Sequence, residues 1–294
     1  MKFDIIKQEV IDIAKVLTPL RYPGGKSSIY GLVNKIIEDN NINDFTYVEP
    51  YAGGFGLGIK LLLDGTANRV IINELDYSIY SFWYSVVNHT VALCELIYNT
   101  PITIEEWHIQ KHIFENPNLF SVLQVGFSTL FLNRCNRSGI LKAGPIGGFN
   151  QNGNYLIDCR FNKDTIINRI QAIAEHRDRI EIYNLDAIDL IENHLINRND
   201  NLFINFDPPY VSQGSGLYIN YYVENDHIEL SNVIRDNLNN VFWMITYDDH
   251  PLIHQCYEEY QITNFKLNYS AQTKRVGTEL LILNNNLNYI IDEP

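Results

Sequence analysis

The chain has 294 residues and a formal charge of −13 at pH 7, with 46% hydrophobic and 19% charged residues. This length suits one large domain or two modest ones, and the apolar content is too high for an intrinsically disordered chain. No apolar run approaches the roughly 18 residues of a membrane-spanning helix. The first residues include acids and lack the cleavage site of a secretory signal. We therefore expect a cytoplasmic protein with no membrane association.

The predicted elements alternate between strands and helices along the chain. Apolar strands are predicted at 46–48, 70–72, 180–183, 202–206, 241–246 and 280–283, and helices at 57–63, 78–87, 187–194 and 227–238. Asp226 and Glu229 have the spacing of a capping box and predict the start of the last of these helices. The alternation predicts an α/β fold, Rossmann-like, with a mostly parallel sheet covered on both faces.

This alternation is interrupted between residues 89 and 165. Residues 120–132 are apolar and helical, and the Gly- and Asn-rich residues 136–155 predict a loop or hairpin. An amphipathic helix resumes at Asp164, with Ile166, Ile170 and Ile173 on one face. We predict a discontinuous α/β domain formed by 1–88 and 166–294, with residues 89–165 inserted as a mostly helical subdomain.

A glycine-rich turn from Glu49 to Gly58 follows the first predicted strand and opens a helix. It contains Gly53, Gly54 and Gly56, which let a ligand approach the backbone closely. The dinucleotide fingerprint fails because the last glycine would fall at Ile59. Glu74, after the next strand, can accept hydrogen bonds from ribose hydroxyls. These residues fit a cationic nucleoside without phosphate, such as S-adenosylmethionine, and the alternative is a tight turn with two solvated acids.

A second glycine motif, residues 21–27, reads Arg-Tyr-Pro-Gly-Gly-Lys-Ser. The phosphate-loop pattern fails because it needs a glycine at Leu20. The loop can still place Tyr22 and Lys26 against a cofactor. Taken alone, it is also typical of a simple turn.

The most specific motif is Asp207-Pro208-Pro209-Tyr210, at the end of the apolar strand 202–206. Ligands of open α/β sheets bind at that edge. The two prolines remove backbone donors, so the turn offers only acceptors, namely the Asp207 carboxylate and the Pro208 carbonyl. Two acceptors suit an exocyclic amino group and oppose the positive charge that develops on its nitrogen during attack. Tyr210 can stack on a flat base.

In order, these motifs resemble the Dam-type family of adenine-specific DNA methyltransferases. The resemblance covers nearly the whole chain and adds three segments, which are 131–139 (Phe-Leu-Asn-Arg-Cys-Asn-Arg-Ser-Gly), 148–150 (Gly-Phe-Asn) and 278–281 (Thr-Glu-Leu-Leu). It implies a class I S-adenosylmethionine-dependent methyltransferase sheet with a target-recognition region inserted at 89–165. The implied activity is methyl transfer to the amino group of a flipped adenine in double-stranded DNA, which is the expected partner. The resemblance allows a cognate endonuclease or defence-system protein as a further partner, but the sequence does not predict whether one exists.

The resemblance also implies a set of site residues. The cofactor site is expected to comprise Tyr22, Lys26, Glu49, Gly53, Gly54, Gly56, Glu74, Asp186 and Asp207. The target base is expected at Asp207, Pro208 and Tyr210, and DNA at Asn133, Arg134 and Arg137. Further basic residues that would bind phosphate are Lys142, Arg160, Lys274 and Arg275. No metal is expected, since the histidines and the four scattered cysteines show no ligand spacing.

Other functions remain open at this point. An RNA adenine methyltransferase would use the same motif. A non-catalytic or partner-dependent DNA-binding homologue is favoured by the acidic charge and disfavoured by the intact Asp207–Tyr210 motif. A protein glutamine methyltransferase would usually carry Asn at position 207, so Asp argues against it. The recognised DNA sequence and the oligomeric state are not predicted.

Overall fold

The computed structural model describes residues 18–21, 29–213, 222–269 and 275–289. Seven strands form one sheet in the order β3-β2-β1-β4-β5-β7-β6. The strands are β1 Phe45–Glu49, β2 Arg69–Asn73, β3 Ile180–Tyr183, β4 Asn201–Phe206, β5 Phe242–Asp248, β6 Gln261–Tyr269 and β7 Arg275–Leu283. Strands β1 to β5 are parallel, and β7 runs antiparallel between β5 and β6.

Ten α-helices connect and cover these strands in the described ranges. They are α1 Tyr30–Asp39, α2 Gly56–Leu63, α3 Tyr77–Asn88, α4 Thr90–Asn99, α5 Ile104–Glu115, α6 Val122–Cys135, α7 Lys163–Ala174, α8 Ala187–Leu190, α9 Glu224–Asn237 and α10 Pro251–Cys256. A π-helical turn, Ile191–Leu195, continues α8. None of the helices in these ranges combines the length and apolar character needed to cross a bilayer.

The predicted α/β fold is confirmed, with two differences in detail. Helix α9 begins at Glu224, one turn before the predicted cap, because the Asp226 carboxylate accepts a hydrogen bond from the backbone N–H of Val223 at 2.7 Å. The prediction that Asp226 caps the helix as its first flanking residue was therefore wrong. Strand β6 was not predicted, since it is an edge strand with mixed polar and apolar residues.

The inserted residues share one hydrophobic core with the sheet. Leu93 of α4, Trp107 of α5 and Phe131 of α6 belong to the same buried cluster as Tyr47 of β1 and Phe203 of β4. Helices α3 and α6 cross closely at Gly126, where a Cβ would lie 2.4 Å from the backbone oxygen of Ser81. Helices α4, α5 and α6 of the predicted insertion are therefore packed in one core with the sheet.

Candidate active site

Four acidic residues follow four neighbouring parallel strands. Glu49 ends β1, Glu74 follows β2, Asp186 follows β3 and Asp207 follows β4. Since β3, β2, β1 and β4 are adjacent and parallel, these acids lie along one edge of the sheet. The structure therefore brings together the acids that the sequence separates by up to 158 positions.

The glycine-rich turn between β1 and α2 is held on both sides by hydrogen bonds. The backbone N–H of Gly53 donates to Glu74 Oε2 at 2.9 Å, and its carbonyl accepts from the indole of Trp83 at 2.9 Å. The carbonyl of Gly54 accepts from the hydroxyl of Thr18 at 2.6 Å. Gly53 has a φ of 48°, which favours glycine. These contacts fix the path of the turn while leaving its surface without large side chains.

The last glycine of this segment, Gly58, lies against a buried aromatic ring. A Cβ at Gly58 would lie 2.2 Å from the ring of Phe55, which packs against the start of α2. Phe55 itself is buried and has a φ of 43°, a conformation that L side chains rarely adopt. The absence of a side chain at Gly58 therefore makes room for the ring of Phe55.

The carboxyl group of Glu74 is organised by the backbone around it. Its Oε2 accepts the Gly53 N–H, and its Oε1 accepts the Asp76 N–H at 3.0 Å. Burial outweighs these hydrogen bonds and raises the pKa of Glu74 to about 7. The group consequently changes its protonation near neutral pH.

A buried asparagine that the sequence gave no reason to select ties three loops of this edge together. The Asn73 amide donates to the carbonyls of Pro50 and Leu185, at 2.9 and 3.0 Å, and accepts from the Leu185 N–H at 3.1 Å. Asn184 adds hydrogen bonds to the carbonyls of Glu74 and Leu75. These amides set the spacing between the loops after β1, β2 and β3.

A network of hydrogen bonds also links buried side chains of β1 and β4 next to the acids at the sheet edge. The fully buried Tyr47 hydroxyl donates to Glu49 Oε1 at 2.9 Å and accepts from the Asn205 amide at 3.0 Å. Burial raises the pKa of Tyr47 well above its usual value, so the hydroxyl keeps its proton. The proton donated by Tyr47 therefore fixes the orientation of the Glu49 carboxyl group.

The turn that carries Asp207 is anchored to β5. Asp207 Oδ1 accepts from the hydroxyls of Thr246, at 3.0 Å, and Tyr210, at 3.3 Å. Asp248, two residues beyond Thr246 on β5, accepts the backbone N–H groups of Val211 and Ser212 at 3.1 and 2.8 Å. Both ends of the turn are thus held by alternate residues of one strand.

The ring of Tyr210 lies inward in this structure. Tyr210 is 9% exposed, its ring centroid is 6.2 Å from that of Tyr247, and its neighbours Pro208 and Pro209 are buried. The hydroxyls of Tyr51 and Tyr222 share a hydrogen bond of 2.6 Å that joins the loop after β1 to the segment that leads into α9. Stacking of Tyr210 on a base, which stays a prediction, requires its ring to turn towards solvent.

Comparison with known proteins decides the family. The family model for D12 class N6 adenine-specific DNA methyltransferases matches residues 22–271. The chain belongs to that family. No curated protein sequence matches significantly.

Among solved structures, two of the rRNA methyltransferase aviRa from Streptomyces viridochromogenes are similar. Their identities are 11% and 12%, both with a TM-score of 0.41, and each alignment covers 96% of this chain and 95% of that one. The family match, and not this distant likeness, carries the assignment to D12 class adenine methyltransferases.

Several residues expected in a D12 class site lie outside the described residues. These are Tyr22, Lys26 and Lys274, and of Arg275 only the backbone is described, at the start of β7. Asp186 is described: its carboxylate caps α8 by accepting the Ile188 N–H at 2.8 Å. Gly56 begins α2, next to the turn.

The residues expected to contact DNA fall into two groups. Arg137, Lys142 and Arg160 are exposed on the irregular segment between α6 and α7, which also exposes the ring of Phe149. Asn133 is only 1% exposed, and its amide is engaged by backbone groups. Arg134 donates to the carbonyl of Pro19, and burial lowers its pKa to about 10.

The placement of Asn133 and Arg134 differs from that of residues facing a DNA backbone. Both side chains point into the protein, where they meet the main chain of the segment 18–21. The exposed segment itself is organised by Gln151, whose amide donates to the carbonyls of Ile146 and Gly148 and accepts from the Ile157 N–H. Sequence reasoning missed Gln151 because its partners are backbone groups.

Proposed function

We propose that this protein is a site-specific, S-adenosylmethionine-dependent methyltransferase that modifies the exocyclic amino group of a flipped adenine in double-stranded DNA. The observation that carries the proposal is the Asp207 turn, which offers acceptors at the same sheet edge as Glu49, Glu74 and Asp186. Membership of the D12 class supports adenine and DNA as substrates. The expected setting is the cytoplasm, alongside a cognate endonuclease or another defence-system protein.

The donor set at the sheet edge fits the proposed cofactor. Glu74 lies where a carboxylate can accept ribose hydroxyls, and the turn from Gly53 to Gly56 keeps side chains away from a ligand. The acids at this edge favour a cation over a phosphate. When bound, S-adenosylmethionine supplies a methyl group that is already activated by its sulfonium. The chain therefore needs mainly to position the acceptor nitrogen.

Asp207 and the Pro208 carbonyl perform that positioning. Pro208 and Pro209 have no N–H groups, so the turn presents only acceptors to the two hydrogens of an amino group. Accepting both hydrogens favours a pyramidal nitrogen with an available lone pair. The Asp207 carboxylate also opposes the positive charge that develops on the nitrogen. Thr246 and Asp248 hold this turn, so little reorganisation is needed during the reaction.

The target adenine has to leave the duplex, at a cost of about a few kcal/mol for unstacking. Tyr210 would return part of that cost by stacking on the base, which is worth about 1–3 kcal/mol. The exposed Arg137, Lys142 and Arg160 would neutralise phosphates, which compensates locally for the net charge of −13. Phe149 lies on the same exposed segment.

The proposal is tested by methyl transfer from labelled S-adenosylmethionine to unmethylated bacterial DNA, followed by single-molecule sequencing of the product. Methyladenine at one short motif would support the activity and identify the target. Asp207→Ala should abolish transfer while calorimetry still detects cofactor binding, and the exposed Asp236→Asn on α9 is the matched control.

Transfer by Asp207→Ala at the wild-type rate would overturn the assignment of Asp207. Transfer to RNA but not to DNA would support the RNA alternative. DNA binding with a steep salt dependence but no transfer, with the cofactor bound, would support a non-catalytic binder.

A further inference from the structure

The segment Thr18–Arg21 lies between the inserted region and the glycine-rich turn. Asn133, on α6 of the insertion, contacts both polar groups of Arg21. Its Oδ1 accepts the Arg21 N–H at 2.7 Å, and its Nδ2 donates to the Arg21 carbonyl at 2.9 Å. A side-chain amide that pairs with the N–H and the C=O of one residue fixes that residue as a neighbouring strand would.

Two arginines hold the residues before Arg21. Arg134 donates to the carbonyl of Pro19, and Arg169 of α7 donates to the carbonyl of Thr18 at 3.0 Å. Hydrogen bonds from charged donors are about twice as strong as neutral ones. Successive carbonyls of the segment are therefore held by α6 and α7, the helices on either side of the exposed segment with Arg137 and Lys142.

Asn133 and Arg21 also constrain the turn that follows α6. Asn133 Nδ2 also donates to the carbonyl of Gly139 at 2.9 Å, and a Cβ at Gly139 would lie 2.4 Å from the Arg21 carbonyl oxygen. Gly139 has a φ of 77°, which favours glycine. The backbone at Gly139, which immediately precedes the exposed loop, is thus packed directly on the segment 18–21.

At its other end, the segment 18–21 contacts the glycine-rich turn of the candidate active site. The buried Thr18 hydroxyl donates to the Gly54 carbonyl at 2.6 Å. The neighbouring Gly53 N–H donates to Glu74. A continuous path of hydrogen bonds therefore runs from α6, through the segment 18–21, to the turn and the carboxylate proposed to bind the cofactor.

We propose that Asn133 and Arg134 are positioning residues that hold the segment 18–21 against the glycine-rich turn, so that the DNA-recognition region sets the geometry of the cofactor site. This inference rests on the proposed function, since it assumes that the turn binds S-adenosylmethionine. It replaces the expectation that these two side chains contact DNA. It also explains why both are directed inward while Arg137 and Lys142 are exposed.

The decisive experiment measures cofactor binding without DNA and DNA binding without cofactor. Asn133→Asp keeps the acceptor for the Arg21 N–H but removes both donated hydrogen bonds. We expect a dissociation constant for S-adenosylmethionine raised about tenfold, which corresponds to about 1.4 kcal/mol of binding free energy, because both hydrogen bonds that Asn133 donates are lost. The DNA affinity and the slope of its logarithm against log salt should equal those of the wild type.

Two further variants keep the test independent of folding at Asn133. Thr18→Val removes the donor to the Gly54 carbonyl at the far end of the path and should weaken cofactor binding in the same way. Arg137→Ala, on the exposed segment, should leave cofactor binding unchanged and reduce the salt slope by about 0.9.

The outcomes separate the competing roles. Unchanged cofactor affinity in Asn133→Asp and Thr18→Val overturns the inference, whether DNA binding falls, as for a DNA contact, or only the melting temperature falls, as for a purely structural role. If the wild-type protein binds no S-adenosylmethionine, the proposed function itself fails.

Discussion

The hydroxyl of Thr246 donates to the carboxylate of Asp207 at 3.0 Å, one residue beyond the last register pair of two parallel strands. β4 ends at Phe206, opposite Ile245, so Asp207 and Thr246 meet where the sheet opens towards solvent. The hydroxyl limits the rotation of the carboxylate that we propose to bind the amino group of adenine. Thr246 is fully buried and is therefore well ordered.

Thr246→Val should lower kcat for methyl transfer about fivefold, because the lost hydrogen bond contributes about 1 kcal/mol to the orientation of Asp207. The KM values for the cofactor and for DNA should stay within about twofold of the wild-type values. Steady-state and single-turnover rates of methyl transfer to a DNA duplex that contains the target adenine would measure this decrease in kcat. The matched control is Thr278→Val, at an exposed position of β7. An unchanged kcat in Thr246→Val would show that the turn is held without this hydroxyl.

Cofactor binding should depend on pH through Glu74. Burial raises its pKa to about 7 in the free protein, so the carboxylate is largely protonated below that pH and ionised above it. Ribose hydroxyls donate better to the ionised form, and the cofactor is cationic. Affinity should therefore rise between about pH 6 and pH 8.5 and then level off, with proton release on binding below about pH 7.

Calorimetry in buffers of different ionisation enthalpy measures both the affinity and the released proton. Glu74→Gln should bind the cofactor more weakly at high pH and show no such pH dependence. The same pH profile in Glu74→Gln as in the wild type would assign the dependence to another group.

Replacement of two glycines by alanine should change the free energy of unfolding in opposite directions. Gly58→Ala forces the added carbon onto the Phe55 ring and should lower the free energy of unfolding by about 1–3 kcal/mol. Gly31, in α1, has nothing within 4 Å of an added carbon, so Gly31→Ala should raise stability by about 0.5–1 kcal/mol. Urea denaturation measures both. If Gly58→Ala raises stability as much as Gly31→Ala, the ring of Phe55 can move aside at little energetic cost.

A network of ion pairs near the amino ends of β3 and β4, away from the acids that follow the strands, should stabilise the fold without affecting catalysis. Arg198 makes a bidentate contact with Glu181, at 2.9 and 3.0 Å, and donates to Asp200 at 2.8 Å. Burial acts to raise the pKa of Glu181, but the hydrogen bonds from Arg198 outweigh it and leave that pKa lowered. Arg198 also lowers the pKa of Asp200.

Because both acids have lowered pKa values in the folded state, their contribution is present above the unfolded pKa values and is lost as the pH falls through the folded ones. Arg198→Met should lower the free energy of unfolding by about 1–3 kcal/mol at neutral pH, and by less in acid. Denaturation at several pH values measures this. A constant deficit at all pH values would indicate lost packing of the arginine stem.

The sequence predicted the strands of this edge and their mostly parallel arrangement well, because buried parallel strands are continuous apolar runs and acids follow their ends; their order in the sheet was not predicted. Asp207 was found from its motif, and Glu74 from its distance to the glycine turn. Their positions depend on local patterns that a sequence displays directly.

The residues that fix the surrounding loops, and the one that orients Asp207, could not be found in this way. Asn73 and Gln151 form hydrogen bonds with backbone groups. Because every residue has such groups, no side-chain pattern in the sequence identifies their partners. Asn133 was assigned to the DNA surface because a motif gives a role to a whole segment, whereas its partner Arg21 lies 112 positions away. Thr246 became visible as a partner of Asp207 only once β4 and β5 were aligned.

The shared core of the insertion and the sheet limits how recognition can be altered by design. Exchanging the whole of residues 89–165 for a relative's would remove Leu93, Trp107 and Phe131 from the core and separate α6 from α3. The segment between α6 and α7 contributes Ile157 and Phe161 to the same core and carries Arg137 and Lys142 at its surface. A transplant confined to about residues 142–156 would therefore change the surface proposed to face DNA while keeping Ile157 and Phe161 in the core.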